Sequence, residues 1–184
     1  KYAHIISEQN QRLNRQVEKV LQLARIEQQN FQLKKEQLDL HEVLGIIIES
    51  AEVKVNDLQG RLTTELKAMD TLIEADRLHL SNILHNLIDN AVKYRKEVPM
   101  VHIRSWNEGK KLLLSIADQG IGISKEYQSR VFQKFYRVPT GNLHNVKGFG
   151  LGLYYIKNIC QAHGWKIKLD SELNAGTTIT IIIT

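Results

Sequence analysis

The chain has 184 residues, 42% of them hydrophobic and 24% charged, enough for one ordinary domain plus an appendage and unlike a disordered or fibrous composition. Its formal net charge of +5 describes a mildly basic surface, and no Arg/Lys run is interleaved with aromatics, so nucleic acid is not an expected partner. A single cysteine, Cys160, excludes an internal disulfide and a multi-cysteine metal site and fits a reducing compartment, while no apolar run approaches the roughly 20 residues of a membrane span.

The first residue is Lys1, not Met, and no signal peptide is evident, so the chain is expected to be an excerpt. Residues 1 to about 33 lack Gly and Pro. Ile6, Leu13 and Val20 form one apolar row at heptad spacing, and Val17, Ala24 and Phe31 form a second, which Asn10 interrupts. This predicts a long amphipathic helix that needs partner helices to bury its stripe. A short strand is predicted at Gln37–Leu40 and a helix at Glu42–Val55. Arg61–Leu66 and Thr71–Ala75 read as two short strands around a turn. Asp76 is placed to cap a helix running to about Arg95, ahead of Pro99. Met100–Trp106 and Lys111–Ala117 alternate and are joined by "NEGK", a β-hairpin signal. Ser124 should cap a helix of two turns, and Gln133–Lys147 reads as a long mobile loop of the kind that carries function. A helix is expected from about Gly150 to Ala162, then strands at Lys166–Leu169 and Thr177–Ile183. The expected fold class is α+β, with three long helices layered on one mostly antiparallel sheet.

Within the Asp76-capped helix, "NILHNLIDNAVKY" sets Leu80, Ile83, Leu84, Leu87, Ile88 and Ala91 on one side. Asn82, Asn86, Asn90 and Lys93 fall on the other. A solvated face is the plain explanation, but exposed helical positions more often take Glu, Lys or Gln than Asn. An amide oxygen can ligate Mg²⁺ and an amide NH₂ can donate to phosphate. "DQGIGI", Asp118 to Ile123, puts a carboxylate at a strand end beside two glycines; alone it could be a β-turn. "KGFGLGL", Lys147 to Leu153, runs glycines into a helix N-terminus, a phosphate-binding device, though it is neither a dinucleotide fingerprint nor a Walker A loop.

In that order, with "VFQKFYRV" between the glycine segments, these stretches resemble the four nucleotide-binding boxes of bacterial sensor histidine kinases. That catalytic domain belongs to the ATPase group that includes gyrase, the Hsp90 chaperones and MutL. The resemblance covers about residues 35–184. It implies a two-layer α/β sandwich of the Bergerat type, with ATP and Mg²⁺ as cofactors. Residues 1–34 resemble the second helix of the dimerisation and phosphoacceptor hairpin that precedes this domain.

By motif position the resemblance implies that Asn86 and Asn90 hold Mg²⁺ and the phosphates, that Lys93 meets a phosphate, and that Tyr94 packs near adenine. Asp118 would accept from the adenine amino group, a contact that guanine, offering an acceptor there, would not satisfy. Gly120, Gly122 and Ile123 would line the base. Gly148, Gly150, Leu151 and Gly152 would shape the end of the lid. Arg137 and Lys147 are the lid cations for the γ-phosphate, and Thr177 would assist at the adenine end. Asn86, Lys93 and Arg137 form the catalytic set. Phe132 and Phe135 are expected to anchor the lid in the core. Trp165 stands where the family often has glycine, with a local packing effect expected.

No histidine lies in the family's phosphoacceptor context, since His4 is followed by "IISEQN"; His4 and His41 therefore read as surface or packing residues. Hydrolytic members of the group place Glu four residues before the Mg²⁺-binding Asn. That position is Asn86, and an amide is no general base near neutral pH. Kinase chemistry on a histidine is thus favoured over hydrolysis or a nucleotide-binding scaffold. The implied partners are a response-regulator receiver domain and a second copy of the full-length chain. The implied location is cytoplasmic, with inner-membrane anchoring only through upstream segments.

Overall fold

The computed structural model describes residues 31–139 and 149–184, together with Asn10, Val17, Val20, Leu21, Leu23, Ala24, Ile26, Glu27 and Gln28. The chain divides into two compact units, Lys1–Gln32 and Leu33–Thr184. In the first, the described residues up to Ile26 are helical, as the heptad rows predict, but Glu27 turns, Gln28 bends and Phe31, expected in the second row, lies outside the helix. Val17 and Val20, one from each row, are 55% and 47% exposed. Ile6 and Leu13 lie outside the described residues.

The second unit opens with β1 (Glu36–Asp39) and α1 (Leu40–Asp57), which Asp39 caps by accepting from the amides of His41 and Glu42. β2 (Arg61–Leu66) and β3 (Leu72–Ala75) follow, then α2 (Arg77–Lys93), capped by Asp76. β4 (Met100–Glu108) and β5 (Lys111–Asp118) form the expected hairpin, with Gly109 at φ 60° in its turn. α3 (Lys125–Gln128), α4 (Gly152–His163), β6 (Lys166–Glu172) and β7 (Gly176–Ile183) complete the unit.

Five strands form the main sheet in the order β2-β4-β5-β7-β6; only β2–β4 is parallel. The helices cover it, α1 over β2, α2 over β4 and β5, and α4 against β6, with α2 between the other two. This is the α+β layer architecture expected. The apolar face of α2 explains its central place: Leu80, Ile83, Leu84, Leu87, Ile88, Ala91 and Val92 are all buried. Each large side chain among them contributes about 1.5–3 kcal/mol over an exposed position.

Three expectations are corrected. β2 and β3 are not partners around a turn. β3 pairs antiparallel with β1 in a separate two-stranded sheet, and β2 pairs parallel with β4. Both pairings join segments distant in sequence, which local periodicity does not report. The helix after Ser124 is a single turn, and the Ser124 hydroxyl bonds Glu126 rather than a backbone amide, so no side-chain cap extends it. Phe135 is 57% exposed at φ 62°, not core, whereas Phe132 is half-buried.

Candidate functional site

The polar stripe of α2 is half-buried along Asn82, Asn86, Asn90 and Lys93. Asn86 Nδ2 donates to the Asn82 carbonyl at 2.7 Å. Because a carbonyl can only accept, this bond fixes the amide's orientation and turns Oδ1 the other way. That oxygen faces the first turn of α4: a Cβ on Gly152 would lie 3.3 Å from Asn86 Oδ1 and 3.9 Å from Asn90 Nδ2. The second glycine segment thus meets the Asn stripe. Leu151, just before α4, is buried.

Lys93 Nζ lies 4.8 Å from the ring centroid of Tyr94. Desolvation and then the Arg137 cation hold Lys93 below its usual pKa of 10.5, with Asp89 opposing them. Desolvation raises Tyr94, and Arg137 opposes it. Lys93, Tyr94 and Arg137 therefore share one electrostatic neighbourhood. Two mutually repelling cations, one of them partly desolvated, suit an anionic ligand.

Asp118 ends β5. Its Oδ1 accepts from the amides of Gly120 at 2.8 Å and Thr177 at 3.3 Å, while Oδ2 has no hydrogen-bond partner among the described residues. Burial pushes this carboxyl above its ordinary value, and the two amides oppose that shift. Ile121 donates to the Tyr94 carbonyl at 2.9 Å, tying the first glycine segment to the end of α2. Ile123 donates to Ser171 Oγ at 2.8 Å, and Ser171 Oγ lies 2.9 Å from Thr177 Oγ1. Asp118, Gly120, Gly122, Ile123 and Thr177 are therefore assembled in one corner. The resemblance assigns Gly120 and Gly122 to the approach of a base, but a Cβ on Gly120 would lie 2.3 Å from the Tyr94 carbonyl oxygen, and one on Gly122 1.8 Å from that of Glu172. Tight chain packing already demands both glycines.

Gly150, at φ 71°, marks a different close approach. A Cβ there would lie 2.4 Å from the Tyr136 carbonyl oxygen, so the chain leaves for and returns from residues 140–148 through one narrow gate. Lys147 and Gly148, both site candidates, lie outside the described residues.

Sequence reasoning missed Gly176 and Ser171. A Cβ on Gly176, at φ 113°, would lie 1.9 Å from the Asp118 carbonyl oxygen. The glycine in "NAGT" was the available signal, but only the β5–β7 register shows that it faces Asp118. His41 Nε2 lies 2.7 Å from Ser105 Oγ, consistent with a packing role; His4 lies outside the described residues. Trp165 is buried and stacks on His163 at 4.1 Å, the local effect expected.

The donor set fits Mg²⁺. Among the described residues no cluster of three His, Cys, Asp or Glu could hold a metal, whereas amide oxygens suit a cation that keeps waters and shares phosphate oxygens.

Residues 75–184 match the family described as histidine kinase-, DNA gyrase B-, and HSP90-like ATPase. The chain belongs to this family. Sensor protein RprX of Bacteroides fragilis strain YCH46 is 48% identical to this ATPase-family chain over 181 residues, covering 97% of the chain and 35% of RprX. Sensor histidine kinase WalK of Bacillus subtilis strain 168 is 32% identical over 185 residues, covering 100% of the chain and 30% of WalK. The chain thus spans about a third of the length of these relatives. Histidine kinase ThkA in complex with response regulator protein TrrA superposes with a TM-score of 0.76 at 24% identity, over 100% of this chain and 50% of that one, and so shares the fold.

Proposed function

We propose that residues 35–184 are the ATP-binding kinase domain of a sensor histidine kinase, and residues 1–34 the second helix of its dimerisation and phosphoacceptor hairpin. The domain transfers the ATP γ-phosphate to a histidine outside the seven in this chain, for relay to a response-regulator aspartate. Relatedness to WalK supports the kinase assignment, and the ThkA–TrrA complex supports a receiver-domain partner. The domain works in the cytoplasm; among the described residues no helix is long and apolar enough to cross a membrane. Homodimerisation and inner-membrane anchoring belong to the longer protein.

Asp118 accepts from the adenine amino group through Oδ2, the oxygen that Gly120 and Thr177 leave available. Ile123 and Thr177 shape that end, and Tyr94 packs near the base. Asn86 and Asn90 bind the Mg²⁺–triphosphate unit, Lys93 and Arg137 neutralise phosphate charge, and Lys147 joins them from the lid. Gly148, Gly150, Leu151 and Gly152 form the lid's returning end. Bound Mg²⁺ supplies charge neutralisation across the phosphates, so the protein's task is to position and stabilise charge.

The observation that carries a kinase over a hydrolase is the amide at position 86, whose oxygen faces the start of α4. A hydrolytic site needs a base there to activate water, and an amide cannot take the proton. The test supplies the chain with Mg-ATP and a separate phosphoacceptor hairpin bearing a histidine. We expect acid-labile phosphohistidine on the hairpin, lost when that histidine is Gln, with phosphate release far slower than transfer. Sustained multi-turnover phosphate release without acceptor would overturn the reading.

A further inference from the structure

Asn82 belongs to the polar stripe, yet its side chain takes no part in the nucleotide site proposed above. Its amide acts on the Tyr155 hydroxyl of α4, opposing the upward push that burial gives that phenol. The Tyr155 hydroxyl also lies 2.7 Å from His79 Nδ1, one turn back on α2. The rings of His79 and Tyr155 stand 6.0 Å apart. Tyr155 is 5% exposed, so its hydroxyl needs partners within the protein. Tyr155 lies three residues beyond Gly152 and therefore one helical turn away on the same face. Gly152 is the residue that meets Asn86 and Asn90. One phenol thus bolts the first two turns of α4 to the Asn stripe.

We propose that Tyr155, held by His79 and Asn82, is a positioning residue that sets the start of α4 against Asn86 and Asn90, and so tunes the metal–phosphate end of the site. The proposal rests on the nucleotide reading above. The mechanical basis is a separation of supports. Asp118 is fixed by β5, β7 and the Gly120 amide, with no contribution from α4. The start of α4 lacks a side-chain cap of its own, and so takes its position from neighbours. Loosening the phenol should shift the phosphate end and leave the adenine end alone.

The test compares calorimetric affinities for ATP with excess Mg²⁺ and for ATP in EDTA, together with thermal unfolding, for the wild type, Tyr155→Phe, Asn82→Ala and the double variant. Tyr155→Phe keeps the ring and its packing. We expect about tenfold weaker Mg-ATP binding in each single variant, no further loss in the double variant, and EDTA-ATP affinity within about twofold of wild type. Equal losses with and without Mg²⁺ would reduce the residue to a structural role and overturn the proposal, as would unchanged Mg-ATP affinity in both single variants. A wild-type chain that binds no ATP would instead defeat the nucleotide reading itself.

Discussion

An asparagine at position 118 would offer one acceptor oxygen where aspartate offers two. The Gly120 and Thr177 amides both point at Oδ1, so an amide would keep its oxygen there and turn its NH₂ toward the adenine amino group, donor against donor. Asp118→Asn should weaken ATP binding about 10- to 100-fold, by about 1.4–2.8 kcal/mol, read by calorimetric titration. Stability should move differently. The folded-state pKa of Asp118 lies above its ordinary 3.8, so its contribution is fully present below the unfolded value and is lost as pH rises through the folded one. A neutral amide escapes that loss, and the variant's unfolding midpoint at pH 7 should equal or exceed the wild type's. A lower midpoint accompanying the lost affinity would mean that Asp118 serves the fold and not the ligand. The carboxylate's place at a strand end was legible in the sequence. Its contact with Thr177, 59 residues away, was not, because it arises from strand register rather than local pattern.

Among the elements, α2 starts on a side chain that also serves a distant segment. Asp76 Oδ1 accepts from the His79 amide, closing the helix start. Oδ2 accepts from Lys34 at 2.8 Å, where the chain enters the domain. The Asp76 amide donates to His163 Nε2 at 3.0 Å near the end of α4. Asp76→Ala removes the cap and leaves the Lys34 amide without its partner, and should cost about 2–4 kcal/mol in urea unfolding. A loss under about 0.5 kcal/mol would show that water replaces both bonds. The cap itself was readable, since an aspartate before a 3.6-residue apolar rhythm is a local signal. The Lys34 and His163 contacts were not, for the same reason that the β1–β3 and β2–β4 pairings were missed. Each brings together segments whose separation only the folded core sets.

At the scale of the molecule, the first unit is proposed as one helix of a hairpin, with an apolar seam that calls for partner helices. Val17 and Val20 stand open at 55% and 47%, which is costly for a helix that relies on burial for its stability. On that proposal, one helix per chain is too little for a tight bundle. The chain should run as a monomer or weak dimer by light scattering at micromolar concentration; a stable dimer would show that one helix per chain suffices. The change of rhythm is legible in the sequence, where a glycine-free heptad stretch gives way to mixed strand and helix patterns near residue 34.

The close approach of Gly150 to Tyr136 carries a consequence for inheritance and for engineering. The flanks of the segment between them meet at one point, so that segment need not span a fixed distance across the sheet. Doubling it would cost only about 0.6 kcal/mol in loop closure. The stretch after Arg137 can therefore be lengthened, with Arg137 kept beside Lys93 and the scaffold beneath left to fold as before.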